Sequence, residues 1–302
     1  MTRVAVLYGG ISAEREVSLS SGLQCIAALR TAGFDVTEIL VGPDLRVTLA
    51  ALDPAPDVVF NALHGRFGED GAIQGVLEWL DIPYTHSGVR ASALAMDKVA
   101  ARAIFAATGL PLADARVIEI STLSDTEPMP RPFVVKPINE GSSVGVHIVR
   151  IGDNRLHDIA AGWRFGSRAL VEDYVPGREL TVGVMDDTAL CVTEIGARGE
   201  FYDYDSKYAD GGSRHVLPAD ISDATARQLC EVAVAAHRAL GCRGATRADF
   251  RYDDTTNRLA LLEVNTQPGL TPTSLLPEQA AYRGIDFPSL CAWMVRHAAC
   301  RA

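Results

Sequence analysis

No two cysteines in this chain form a C-x-x-C pair: Cys25, Cys191, Cys230, Cys242, Cys291 and Cys300 are scattered singly. Structural zinc sites and small disulfide frameworks need closely spaced thiols, so both are excluded, and the six read as core or surface thiols that fit a reducing cytoplasm. Lysine and arginine form no block, and the formal net charge is -10. A nucleic-acid backbone or an anionic membrane would find no basic footprint here. No apolar run approaches the ~18 residues of a membrane span, and residues 4–8, which lead straight into Gly9-Gly10, are too short for the core of a secretory signal. Two phosphate-binding signatures are missing as well. G-x-x-x-x-G-K-[ST] is absent, and Gly9-Gly10-Ile11-Ser12-Ala13-Glu14 lacks the spacing of G-x-G-x-x-G. Any phosphate binding must be local and use another loop.

Of the 302 residues, 48% are hydrophobic and 22% charged, the balance of a soluble globular enzyme. That length exceeds what one core serves, so two or three domains with a cleft between them are expected. Residues 1–95 alternate strands (3–8, 35–40, 57–62) with helices (ending at 32, and 71–80) in the manner of a doubly wound parallel sheet. A helix over 97–108 stops at Gly109-Leu110-Pro111, and residues 122–132, with Pro128, Pro130 and Pro132, read as a connector or surface loop. A compact α+β unit follows over 133–182. Beyond it comes a larger β-rich unit with a long helix over 222–240 and a terminal helix over 287–299.

Two short apolar runs near the C-terminal end close on Arg247-Ala248-Asp249 and on Glu263-Val264-Asn265, with a turn at Asp253-Asp254-Thr255-Thr256-Asn257 between them. Each run alternates, which places Arg247, Asp249, Glu263 and Asn265 on one face. Two carboxylates and an amide oxygen on rigid strands suit a hard divalent cation such as Mg²⁺, whose other positions go to phosphate and water. Spacing alone favours a plainer reading, solvated strand residues flanking Arg247. The loop Glu140-Gly141-Ser142-Ser143-Val144-Gly145 joins two strands and can lie over phosphates while Lys136 supplies charge; an ordinary hairpin connection fits the same residues. His64 to Gly71 follows a strand end, where ligands of open α/β sheets collect. Residues 199–212, with Tyr202, Tyr204 and Tyr208 among charges, read as a lid over bound substrate or as a solvated hairpin.

Six motifs occur in order: Gly9-Gly10-x-Ser12-x-Glu14-Arg15-Glu16-Val17-Ser18; His64-Gly65-x-x-Gly68-Glu69-Asp70-Gly71; Tyr84-Thr85-x-Ser87-Gly88 with Met96-Asp97-Lys98; the loop from Glu140 to Gly145; Tyr202-Asp203-Tyr204-x-x-Lys207-Tyr208; and Glu263-x-Asn265-Thr266-x-Pro268-Gly269. Over essentially the whole chain they resemble the bacterial D-alanine:D-alanine ligases of the ATP-grasp superfamily. The resemblance implies a mixed α/β and α+β, three-domain ATP-grasp fold: a doubly wound α/β domain over 1–95, a central subdomain over 96–181, and a C-terminal subdomain over 182–302 carrying the metal site and the lid at 199–212. It implies ATP-dependent ligation of two D-alanines through a D-alanyl phosphate, releasing ADP and phosphate, for peptidoglycan synthesis and so cell-wall biogenesis and cell shape. A cytoplasmic homodimer is implied, with D-alanine and ATP as its small-molecule partners, no nucleic acid and no membrane. Two Mg²⁺ or Mn²⁺ per active site belong to the same expectation, which leaves activation by a monovalent cation open.

By the same resemblance, Lys98 and Lys136 hold ATP phosphates, Glu172 accepts from the adenine amino group, the backbone at Asp173 and Val175 meets the ring edge, and Glu179 binds the ribose. Asp249, Glu263 and Asn265 hold the metal ions, with Glu263 shared. Glu14, supported by His64, pairs with the ammonium of the first D-alanine. Ser274 and Lys207 meet the carboxylate of the second, and Lys207 also reaches the transferred phosphate. Arg247 and the Gly269 N–H form an oxyanion hole. Glu14, Ser142 and Tyr208 link the three domains on closure, with Ser142 an orienting group, not an attacking one. Relatives often carry Lys at Asp173, Gly at His86 and Ser at Gln267; no function attaches to His86 or Gln267. His86 is expected as a partly exposed turn residue, and His147, His157, His215, His237 and His297 as structural or surface groups. The rival readings are a same-fold ligase making D-alanyl-D-lactate or D-alanyl-D-serine, another ATP-grasp carboxylate-amine ligase, against which Glu14 and Ser274 count, and a silent nucleotide-binding or regulatory protein. Tyr208 argues against the depsipeptide, and retention of Arg247, Lys207 and every proposed metal ligand argues against the silent protein.

Overall fold

The computed structural model describes residues 1–197, 213–271 and 273–300. Its first strand, β1 (Arg3–Gly9), turns Val4 and Val6 to one face and Ala5 and Leu7 to the other, and all four are buried. A strand apolar on both faces belongs inside a parallel sheet covered on both sides. β1 accordingly lies between β2 (Asp35–Val41) and β3 (Val58–Asn61), parallel to both. The helix α1 (Arg15–Thr31) covers the Val4 and Val6 face, and α2 (Leu45–Ala51) packs beside β2. On the opposite face α3 (Ala72–Trp79) supplies Ile73 and Leu77 against Ala5 and Leu7.

After α4 (Val89–Met96), Asp97 caps α5 (Lys98–Ala107) by accepting from the amides of Val99 and Ala100. The second sheet is antiparallel, in the order β4 (Ala115–Glu119), β7 (Arg168–Asp173), β5 (Phe133–Lys136), β6 (His147–Val149). Its core includes Leu123 and Met129, packed with Phe133, Trp163 and Ile159 of α6 (Leu156–Gly162). Residues 122–132 are therefore more than a surface loop. Burying a leucine contributes about 1.5–3 kcal/mol, enough to draw the segment inward.

The third sheet runs β10 (Ser213–Val216), β9 (Thr188–Ala197), β8 (Arg178–Met185), β11 (Ala245–Asp253), β12 (Arg258–Asn265), antiparallel throughout. The long helix α7 (Asp223–Leu240) starts at a Ser222 cap and stops at Gly241, whose φ of 71° ends the helix in the left-handed region. Leu229, Ala233, Ala236 and Leu240 follow helical spacing and pack with Val182, Phe250 and Leu261. From α8 (Leu275–Tyr282), Leu276 and Ala280 instead join Met185 and Leu190. The last helix, α9 (Phe287–Arg296), returns to the first sheet: Leu290, Cys291, Met294 and Val295 pack with Val4, Val6, Phe60, Ile26 and Leu29. Beyond it Ala299 exchanges two backbone hydrogen bonds of 3.2 Å with Tyr84. Among the described residues no helix is long and apolar enough to cross a membrane.

Candidate active site

The pairing of β11 with β12 sets Arg247 opposite Asn265 and Asp249 opposite Glu263, so the four side chains share a face as alternation predicts. Arg247 grips Asp249 through two 2.9 Å hydrogen bonds, Nε to Oδ1 and Nη2 to Oδ2, the forked geometry that makes an arginine–carboxylate pair strong. Asp249 also accepts from Thr181 Oγ1 at 2.6 Å and from Asn265 Nδ2 at 2.9 Å. Across from it, Lys98 Nζ stands 3.3 Å from Glu263 Oε2 and donates to the Glu140 carbonyl at 2.6 Å. Lys98 opens α5, so the Asp97 cap fixes the root of this side chain.

Two cavities meet at these strand ends. The first lies between the second and third sheets and is lined by Lys98, Lys136, Glu172, Asp173, Val175 and Glu179, with Asp249 and Glu263 at its end. Glu172 is buried, and its two oxygens take Arg102 Nη1 at 2.6 Å and the Lys136 ammonium. Two cationic partners on one buried carboxylate satisfy polar atoms that burial would otherwise leave without hydrogen bonds. Glu179 faces Arg251 at 3.7 Å. The second cavity is lined by Glu14, His64, Glu69, Ser142, Arg247, Asn265, Gly269 and Ser274. Ser142 Oγ donates to the Glu14 carboxylate, which ties the glycine-serine loop to the start of α1. Ser274 Oγ accepts from the Thr271 amide at 2.9 Å.

In the loop, Ser142 and Ser143 have φ of 50° and 59°, and Gly145 has 70°. A β-carbon at Gly145 would overlap the Phe165 ring. Non-glycine residues in the left-handed region carry a cost that surrounding structure must hold in place. The letters Gly141-x-Ser143-x-Gly145 do match the spacing of a hydrolase nucleophile elbow, but that elbow needs a strand-to-helix turn. Here the loop joins the antiparallel β5 and β6, so no elbow forms.

Residues 104–296 match the family described as D-ala D-ala ligase C-terminus, and residues 45–87 the family described as D-ala D-ala ligase N-terminus. The chain belongs to the D-alanine–D-alanine ligase family. It is 69% identical to the D-alanine–D-alanine ligase of Granulibacter bethesdensis over 99% of both chains. It is likewise 69% identical to that of Acidiphilium cryptum over 100% of both. The crystal structure of the Bacillus anthracis D-alanine–D-alanine ligase complexed with ATP is 28% identical, covers 98% of this chain with 97% of its own, and superposes with a TM-score of 0.83. The ATP-grasp fold expected from the ligase motifs is thus the fold of this chain.

Against the ligase motifs, the structure brings together every expected site residue that it describes; Lys207 and Tyr208 lie outside the described residues. His64, expected to support Glu14, lines the same cavity, but its ring nitrogens face Glu69 at 3.0 Å and Ser21 at 3.3 Å. Glu69 and Arg102 had no assigned role. Glu69 was visible as the carboxylate five residues beyond His64, and Arg102 as a cation four residues beyond Lys98, on the same helix face.

His86 departs from expectation. Its φ of 68° does place it in a turn, yet it is 3% exposed, because Gly244 packs against its backbone and Phe60 meets its ring edge-on at 6.1 Å. Neither ring nitrogen makes a full hydrogen bond among the described residues. Burial foremost, then the charges of His64 and Arg243, push its pKa from 6.5 down to about 3, with only partial relief from the Ala245 backbone. A folded pKa below the unfolded one means stability that is fully present above pH 6.5 and lost as pH falls towards 3. By pH 4.5 the loss from this one group is about 2–3 kcal/mol. Denaturant midpoints of the parent and of His86→Asn, followed from pH 7.5 to 4.5, are expected to converge as pH falls; parallel curves would remove the effect from His86. His215, His237 and His297 hold structural contacts with Glu278, Thr246 and the Trp293 carbonyl.

Proposed function

We propose that this chain joins two D-alanine molecules into D-alanyl-D-alanine at the expense of ATP, releasing ADP and phosphate, as a ligase of peptidoglycan precursor synthesis. The observation that carries the reading is the division of one strand pairing between two cavities. Asp249 and Glu263 face the cavity lined with lysines and Glu172, while Arg247 and Asn265, one step along the same strands, face the cavity of Glu14 and Ser274. A phosphate-handling site and an amino-acid site share one rigid wall.

In this reading Glu172 and the backbone at Asp173 and Val175 take the adenine, Glu179 the ribose, and Lys98 and Lys136 the phosphates. Asp249, Glu263 and Asn265 suit Mg²⁺ or Mn²⁺. Their oxygens are hard donors, and among the described residues no cluster of three or more acidic, His or Cys side chains forms a cage of its own. Two carboxylates completed by phosphate oxygens and water is how magnesium is held beside a nucleotide. Bound there, the ions would supply positive charge that offsets the negative charge of the phosphates. Glu14 holds the ammonium of the first D-alanine so that its carboxylate attacks the γ-phosphate; that P–O bond forms as the bond to ADP breaks. The amino group of the second D-alanine, held at its carboxylate by Ser274, then attacks the acylphosphate carbonyl. Arg247 and the Gly269 N–H stabilise the oxyanion, and phosphate leaves. Both steps rest on positioning and electrostatics, with no covalent protein nucleophile. Three units over 1–95, 96–181 and 182–302, each holding one sheet apart from β8 starting at Arg178, a cytoplasmic setting and a homodimer complete the proposal.

Coupled ADP release with D-alanine, L-alanine, D-serine and D-lactate tests it. D-alanine alone is expected to sustain turnover at neutral pH. Equal turnover with D-lactate, or none with D-alanine, would overturn the reading.

A further inference from the structure

A pair of buried amides crosses from the first sheet to the strand end that carries Asn265. Asn61, the last residue of β3, and Gln267, two residues beyond β12, are both buried. Asn61 Nδ2 donates to Gln267 Oε1 at 2.7 Å and to the Gly68 carbonyl at 2.9 Å, and its Oδ1 accepts from the Leu63 amide at 3.2 Å. Gln267 Nε2 donates in return to the Leu63 carbonyl. Turning either amide over would set donor against donor or acceptor against acceptor, so the ring of bonds fixes both orientations. Full satisfaction is what makes burial of two amides tolerable.

The ring holds the loop that carries His64 and Glu69. Leu63 directly precedes His64, and Gly68, whose carbonyl also accepts from Gln74 Nε2 at 2.8 Å, directly precedes Glu69. Those two residues form one wall of the second cavity, and Gly269 and Ser274 form another. Gln267 stands two residues before Gly269. We propose that Gln267, through Asn61, is a positioning residue that sets the separation of the two walls, and hence the approach of the two amino acids. This rests on the ligase reading above. A serine at this position is too short to reach both Asn61 and the Leu63 carbonyl. The nucleotide cavity has no residue in common with the ring, so its affinity is insulated from the change.

Gln267→Ser is expected to raise the D-alanine concentration for half-maximal ADP release ~10-fold or more while moving that for ATP less than about twofold. Asn61→Ala should act alike, and the double variant should be no worse than the weaker single variant, because both break one ring. Gln267→Met, of similar size and uncharged, keeps the packing and loses both bonds of the ring; it should shift the same readouts if the serine variant folds poorly. Amide hydrogen exchange without substrates is expected to quicken over residues 63–70 in each variant and stay unchanged in β5 and β6. Should the parent release no ADP with D-alanine, the ligase reading fails, and exchange alone then decides the positioning role. Unchanged exchange over 63–70, or an equal rise in the ATP requirement, would overturn it.

Discussion

Glu263→Gln is expected to lose nearly all turnover, about 1000-fold or more, while the protein stays folded. The substitution keeps the volume of the side chain and removes one of the two negative charges at the strand ends. Glu263 is half-buried and paired with Lys98 at 3.3 Å, a contact whose loss costs little beside the fold's total stability. The catalytic loss is larger because Glu263 is the carboxylate proposed to serve both metal ions, and the other carboxylate at these strand ends, Asp249, is already held by Arg247. Steady-state ADP release across a magnesium titration, beside a thermal midpoint, is the measurement. Turnover within tenfold of the parent would remove Glu263 from the metal site.

Arg247→Ala is expected to lower kcat by ~100-fold or more, the size usual for deleting one oxyanion donor, with little change in the ATP concentration needed. The structure adds a complication that can be measured. Arg247 also neutralises Asp249 through two 2.9 Å bonds, so its removal leaves a buried carboxylate short of a partner. Arg247→Lys keeps a charge near Asp249 but cannot form the fork. If the oxyanion role holds, both variants lose kcat. If Arg247 serves chiefly to hold Asp249, the lysine variant recovers most of the rate, and the assignment changes from transition-state donor to support for the metal site.

Much of this site was legible because it sits on strands. A period of two fixes the face of Arg247, Asp249, Glu263 and Asn265 before any fold is known, and the pairing of β11 with β12 only aligned two faces already defined. The glycine-serine loop was legible as a loop, yet the left-handed serines were not, since nothing local requires them; the bond from Ser142 to Glu14 bridges 128 positions. His86 was misjudged for a related reason. Its turn is locally a surface feature, and Gly244 and Phe60, distant in sequence, cover it. Arg102 escaped notice because its partner, Glu172, lies 70 positions away on another element. Side chains whose roles are settled by period or capping can be read from neighbours in sequence, whereas those settled by the packing of distant elements cannot.

The return of α9 to the first sheet bears on how the chain is made. A ribosome that has released only the first hundred residues has exposed β1, β3 and α1, with Val4, Val6, Phe60, Ile26 and Leu29 along one side, but not Leu290, Met294 or Val295, which cover them in the finished protein. The amino-terminal layer therefore waits for nearly the entire message to be translated before one of its faces is sealed, at synthesis rates of roughly 5–20 residues per second. During that interval the uncovered face is a target for chaperones or for other nascent chains. A fragment ending before residue 287 should come off the ribosome sticky, however complete its cavities.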